Sequence, residues 1–238
     1  MARVMVTGAS SGLGRLIAES LADAGHDVVA HLRSADRLTD PDVLARMHTV
    51  ICGDLADPGQ VRAVAEQAAA LGPLDAVIHN AGVLSGPDVM AVNVVAPYLI
   101  TACMPLPGRI IVTSSSMHRD GDTRVGADDF DRGSYSTSKL CVTAFAMALA
   151  RSSGDTLAHA VDPGWVPTRM GGPGAPDDLT AGHRTQEWLA TAPETDITPR
   201  TGGYWHHRRA TEPHRAALDP RFQNRLIGIL ERRTGASL

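Results

Sequence analysis

Three things are scarce in this chain, and each scarcity excludes a class of protein. Cysteine is one: Cys52, Cys103 and Cys141 are too widely spaced for a zinc knuckle and odd in number for a disulfide framework. Excess charge of one sign is another: 22 Lys+Arg stand against 26 Asp+Glu, a formal net charge of -4. That balance gives no electrostatic footprint for nucleic acid or an anionic membrane surface. Long hydrophobic runs are the third, since the longest apolar stretch, Cys141–Ala150, falls far short of the ~18–20 residues that span a bilayer. Met1–Val6 leads straight into a glycine-rich turn, which leaves no room for a signal peptide. The composition therefore points to a soluble, reduced, cytoplasmic protein with no nucleic acid partner and no membrane span.

What is present is an ordinary globular composition, 43% hydrophobic over 238 residues, enough to bury a sizeable core. Short apolar runs alternate with helical patterns from the start. Arg3–Val6 and Asp27–Leu32 read as strands, and Leu13, Leu16, Ile17 and Leu21 recur between them at helical spacing before Gly25. Val50–Ile51 is a short third strand. Asp57-Pro58 has the form of an N-cap followed by an N1 proline, and Gly72 stops the helix that it opens. Asp75–His79, Arg109–Thr113 and Leu157–Val161 continue the strand series; Met90–Met104 and Tyr135–Arg151 read as helices, the first with Pro97 inside it. Asp219-Pro220 opens a last helix closed by Gly235.

Such alternation implies a parallel sheet with helices on both faces, and the right-handed crossover makes it doubly wound, a Rossmann-type α/β fold. No repeat or low-complexity tract is visible. Gly171–Pro176 resembles a linker, but too little chain follows it for a second domain, so residues 1–238 read as one domain.

Thr7-Gly8-Ala9-Ser10-Ser11-Gly12-Leu13-Gly14 lies between the first strand and the first helix. Glycines there allow a tight turn and close backbone approach, and the helix N-terminus offers free N–H groups to a pyrophosphate. Further motifs follow in order: His79-Asn80-Ala81-Gly82, Asn93 in Ala91-Val92-Asn93, Ser114-Ser115-Ser116, Tyr135-Ser136-Thr137-Ser138-Lys139, and Pro163-Gly164-Trp165-Val166-Pro167-Thr168. Together they resemble the signature set of the short-chain dehydrogenase/reductase family over about the first 170 residues.

Tyr135 and Lys139, four residues apart, share one helix face. A free tyrosine has a pKa near ~10, and a neighbouring ammonium would lower it toward a useful range for proton transfer. The resemblance implies a catalytic set of Asn93, Ser115, Tyr135 and Lys139: Tyr135 as general acid or base, Ser115 at the substrate carbonyl oxygen, Asn93 anchoring a water. Ser114 and Ser116 remain alternatives to Ser115; the Ser-Ser-x-x-His pattern ending at His118 favours Ser115 and is similar to the retinol-dehydrogenase-like branch. It also implies a cofactor site at Gly8, Ser10, Ser11, Gly12, Leu13, Gly14, Asp54, Leu55, Asn80, Ala81, Gly82, Tyr135, Lys139, Pro163, Gly164, Val166 and Thr168. At the end of the second strand Leu32 occupies the position where an acid would select NAD(H), and Arg33 follows. An arginine there can hold a 2'-phosphate through charge-assisted hydrogen bonds, so NADP(H) is expected over NAD(H).

The implied reaction is hydride transfer between the nicotinamide and a small carbonyl or alcohol substrate. The alternative is a non-catalytic NADP(H) sensor of the same fold. Gly82–Asn93 and Met104–Arg109 are shorter than usual in the family, which leaves a homodimer and a monomer both open. The stretch between Ser115 and Tyr135 is longer than usual and acidic, with Asp120, Asp122, Asp128, Asp129 and Asp131. Residues 165–205 read as a substrate-loop region: Gly171, Gly172 and Gly174 loosen it, Pro173 and Pro176 interrupt it, and Trp165 with the helical pattern Leu179–Leu189 would give it an apolar inner surface. His206-His207 with His214 does not converge at metal-ligand spacing, so no metal is expected.

Overall fold

Strands of branched apolar residues form the frame of the computed structural model, which describes residues 1–37 and 40–238. β1 (Arg3–Val6), β2 (Asp27–Leu32), β3 (Thr49–Cys52), β4 (Ala76–His79), β5 (Arg109–Thr113), β6 (Leu157–Asp162) and β7 (Tyr204–His206) are parallel, and β8 (Arg209–Thr211) closes the edge antiparallel. Their order is β3-β2-β1-β4-β5-β6-β7-β8. The reversal of direction between β1 and β4 creates the crevice at the carboxyl ends where ligands of such sheets bind.

Successive residues of each strand feed opposite faces. Val4 and Val6 pack on one side with Ile17 and Leu21 of α1 (Gly12–Asp23) and Leu189 of α6 (Leu179–Thr191); Met5 packs on the other with Val61 and Val64 of α3 (Pro58–Ala70) and Leu99 of α4 (Ala96–Ala102). A short α2 (Pro41–Arg46) follows β2. The longest helix, α5 (Tyr135–Ser152), is buried at every position from Thr137 to Leu149. That is possible because α7 (Arg215–Leu218) and α8 (Pro220–Thr234) cover the face that the sheet does not. Phe222, Leu226, Ile229 and Leu230 form the inward stripe of α8, each burial worth roughly 1.5–3 kcal/mol.

Capping follows the expected chemistry. The Asp57 carboxylate accepts from the Gly59 and Gln60 amides, that of Asp219 accepts from Arg221, and Gly235 ends α8 in the left-handed conformation with φ 68.

Two expectations need correction. Met90–Met104 is not one continuous α-helix: Ala91–Val95 is a π-helical turn, and α4 starts only at Ala96. Pro97 has no N–H to return to the carbonyl of Asn93, four residues earlier, so the ladder widens there. The second correction is the β7–β8 hairpin, which no sequence pattern announced. Its two turn residues, His207 and Arg208, have φ 46 and 61. A two-residue hairpin turn of this hand usually takes Asn-Gly, and its absence hid the turn. No described helix is long and apolar enough to cross a membrane.

Candidate active site

The nucleotide loop is shaped by glycines that nothing else could replace. A Cβ on Gly14 would stand 2.3 Å from the Gly8 carbonyl oxygen and 2.4 Å from Asn80 Nδ2, while Gly8 itself adopts φ 70 against Ala81. Thr7 ties this loop to the β4 end: its hydroxyl accepts from the amides of Asn80 and Ala81, and its carbonyl accepts from Asn80 Nδ2 at 3.0 Å. Ser11 is the N-cap of α1, yet its side chain makes no capping bond and the first turn carries no acidic residue. Free amides and a free hydroxyl therefore face the crevice, which suits a pyrophosphate.

Other expected cofactor positions converge on this loop. A Cβ on Gly12 would touch Thr168 Cγ2 at 3.5 Å, and Val166 and Leu13 meet around Gly182. Arg33 is exposed at the end of β2, directly after buried Leu32. Asp54 uses one carboxylate oxygen to accept from the Ala56 amide at 3.0 Å, and Leu55 is buried in the core beside α3.

His31 was not anticipated. It is buried, with Nδ1 accepting from the Gly8 amide (3.2 Å) and Nε2 2.9 Å from the Gly53 carbonyl. Acceptance at Nδ1 places the proton on Nε2, and burial lowers the pKa of the ring below the ordinary histidine value. A neutral imidazole thus braces the first glycine of the loop.

The four expected catalytic residues lie together. Lys139 is buried and donates from Nζ to the Thr113 carbonyl at 2.7 Å; the same atom stands 5.4 Å from the centroid of the Tyr135 ring. Asn93 accepts from the Val83 amide (2.8 Å) and donates to the Val83 carbonyl and to Ser138 Oγ, both at 2.9 Å. It therefore locks the π turn to the loop after β4 and to α5. Gly82 permits this approach, since a Cβ there would lie 3.3 Å from Asn93 Oδ1 and 3.6 Å from Lys139 Nζ. Among the serines, Ser114 is buried and shares a 2.6 Å hydrogen bond with Thr143, whereas the Ser115 hydroxyl accepts from the Met117 amide at 3.3 Å and acts to lower the Tyr135 pKa; the Tyr135 hydroxyl itself points at Met170 Sδ, 4.0 Å away.

Electrostatics depart from the sequence reading. Burial pushes the Tyr135 hydroxyl up to about 12, the Asp162 charge adds to this, and only Ser115 opposes it. The Lys139 ammonium lies over the Tyr135 ring and donates to the Thr113 carbonyl, not to the Tyr135 hydroxyl. Burial takes Lys139 itself down to about 8, with Asp162 resisting. Sequence reasoning also passed over a plain signal: Lys139 is the only lysine in the chain.

Behind Ser115 the support is a buried histidine. His118 Nε2 accepts from the His214 amide (2.9 Å), so Nδ1 carries the proton and donates to the Ser115 carbonyl (2.8 Å). Its ring lies 4.6 Å from that of Tyr204. Trp165, expected to face inward, is 60% exposed, with its indole N–H donating to the Gly171 carbonyl at 2.8 Å.

The fold, with a tyrosine, lysine, serine and asparagine gathered near the carboxyl ends of its strands, is that of an oxidoreductase class. The profile of the short chain dehydrogenase family matches residues 2–178. Short-chain dehydrogenase chry4 of Gibberella zeae is 34% identical, covering 100% of this chain and 99% of that protein. A Mycobacterium paratuberculosis crystal structure superposes with TM-score 0.81 at 24% identity, over 100% of this chain and 94% of its own, which shows the fold alone. A short chain dehydrogenase from Burkholderia cenocepacia, crystallised with NADP, superposes with TM-score 0.69 at 26% identity, covering 86% of this chain and 95% of its own. The chain belongs to the short-chain dehydrogenase family.

Proposed function

We propose that the protein is an NADP(H)-dependent carbonyl reductase, and in the reverse direction an alcohol dehydrogenase. The observation that carries this reading is the convergence of Ser115, Tyr135, Lys139 and Asn93 next to the glycine loop, through Gly82. Bound NADP(H) supplies or accepts the hydride. Ser115 donates a hydrogen bond to the substrate oxygen. Tyr135, protonated at neutral pH as an ordinary tyrosine is and held more firmly so by burial, gives its proton to that oxygen as negative charge develops. Lys139, anchored to the Thr113 carbonyl, would hold the nicotinamide ribose hydroxyls with its remaining N–H groups, and Asn93 keeps the π turn in register with α5.

Exposed Arg33, with Leu32 in place of an acid, supports NADP(H) over NAD(H), as does the NADP held by the Burkholderia relative. Cover of α5 by the chain's own α7 and α8 supports a monomer at that face. The cysteines are free, in keeping with a reducing cytoplasm. The loop from Trp165 to Asp178 bonds mostly to itself, as in Gly172 N to Thr168 O at 2.8 Å and Asp177 N to Trp165 O at 3.1 Å. It is read as a substrate lid, so cleavage between Met170 and Ala181 in limited proteolysis is expected to slow when NADPH and substrate are added. Identical cleavage with and without them removes the lid.

The test of function is NADPH consumption, followed by absorbance, across a panel of ketones and aldehydes. Turnover supports the reading. NADPH binding without turnover of any carbonyl would point to the sensor instead.

A further inference from the structure

At the carboxyl end of β6 an open cavity of about 350 Å³ is walled by Ser116, which follows Ser115 in the chain, and by Arg119, Asp162, Trp165, Asp177, Tyr204 and His206, among others. Asp162, the last residue of β6, is only 8% exposed. One of its oxygens accepts from the Gly164 amide at 3.0 Å; the other is 3.9 Å from His206 Nδ1. Asp177 accepts from the Trp165 amide at 2.6 Å. A Cβ on Gly164 would lie 2.6 Å from that same carboxylate, so the bare glycine is what lets Asp177 reach the strand end. Among the described residues, no arginine and no lysine forms an ion pair with either aspartate. Arg119, the one guanidinium of the wall, is exposed and donates to the Glu212 carbonyl at 2.6 Å.

Two further observations point to a ligand. Tyr204 is 3% exposed, and its hydroxyl, beside Ser114 and Asp162, makes no well-formed hydrogen bond among the described residues. The Trp165 ring lines the cavity, is pinned by its indole N–H and is 60% exposed. Carboxylates, a phenol oxygen and an indole face form the donor set for an organic ammonium. The first supplies the counter-charge, the second accepts an N–H, and the third offers a cation–π surface. An anion would meet two carboxylates, and an indole gives nothing to a metal ion.

We propose that this cavity selects carbonyl substrates that carry a protonated amine, with Asp162 as the charge partner, Tyr204 as hydrogen-bond acceptor and Trp165 as the aromatic wall. The substrate class rests on the reductase reading above; the cation site does not.

Calorimetric titration of the full-length protein with phenethylammonium and with phenethyl alcohol tests the site without turnover. The ammonium is expected to bind about 10- to 100-fold tighter, the scale of a charge-assisted hydrogen bond. In Asp162→Asn that preference is expected to vanish, and in Tyr204→Phe to shrink, each variant being checked for folding by its melting curve. A parallel assay compares kcat/KM for an aryl ketone with and without a primary amine on its side chain. Equal binding of ammonium and alcohol by the wild type overturns the proposal, as does a preference unchanged in both folded variants. Ketone turnover with no gain from the amine overturns it too and leaves the reductase reading standing. Ammonium preference without NADPH-dependent turnover supports the cation site and removes the reductase.

Discussion

At the β1–β3 end of the crevice the walls are main chain. Gly8, Gly12 and Gly14 shape the loop, the Thr7 hydroxyl serves two backbone amides, and neutral His31 receives a third. At the β6–β7 end the walls are side chains: Asp162, Asp177, Tyr204, His206 and an exposed Trp165. A surface of amides serves any ligand with a pyrophosphate, because such groups recognise charge and not identity. A surface of placed carboxylates and rings discriminates, since each unmatched group costs free energy. The first end suits any ligand with a pyrophosphate; the second favours one ligand chemistry over another.

The sharpest way to break this division is at the point where the two ends meet. Tyr135→Phe is expected to lower turnover by roughly 100- to 10,000-fold, while NADPH affinity, measured by fluorescence titration, stays near wild type. Retained turnover would mean that the proton comes from elsewhere. On the nucleotide side, Arg33→Ala is expected to weaken NADPH by about 1.5–3 kcal/mol and NADH hardly at all, because the change removes a charge-assisted bond to the 2'-phosphate. Equal losses would make Arg33 a scaffold residue. Smaller again is a pair of glycine substitutions. Gly14→Ala forces a Cβ to 2.3 Å from the Gly8 carbonyl, whereas Gly174 has open space around it. The first is expected to cost about 1–3 kcal/mol in chemical denaturation, the second to lie within about 0.5 kcal/mol of wild type. Similar losses in both would show that the loop yields easily.

Acid is expected to act on both ends by a smaller increment per step. Burial holds His79 down to about 3 and His159 down to about 4, and it lowers His31 and His118 as well. The folded chain keeps these rings neutral, while the unfolded chain protonates them below about 6.5. Stability is therefore full above that value and falls as pH drops toward about 4, by up to about 1.4 kcal/mol per pH unit for His79 and for His159, with His31 and His118 acting in the same direction. Urea midpoints measured between those limits check the slope; a flat profile would mean that the buried rings accept protons in place.

Most of the first end was legible from the chain itself. β1, β2 and β5 have the bounds expected from apolar runs punctuated by glycine or aspartate, and the Asp57-Pro58 and Asp219-Pro220 signals both mark real helix starts. That Tyr135 and Lys139 lie on one helix was legible because helix spacing is local. The second end was not. Asp162 is a lone acid after an apolar strand, and its neighbours Tyr204 and His206 arrive from more than forty residues away through a hairpin with no Asn-Gly. His31 and His118 likewise read as ordinary histidines until tertiary contacts give each ring nitrogen a partner. Pro97 was read as lying inside one continuous helix; its missing N–H opens the π turn that carries Asn93.

The central claim is hydride transfer assisted by Tyr135. The most direct measurement uses NADPH that carries deuterium at the hydride position, a ketone accepted in the panel, and mass spectrometry of the alcohol formed. Deuterium on the carbinol carbon, with product formation suppressed in Tyr135→Phe, is the expected result. Alcohol without deuterium, or undiminished deuteride transfer in the Phe variant, would contradict it.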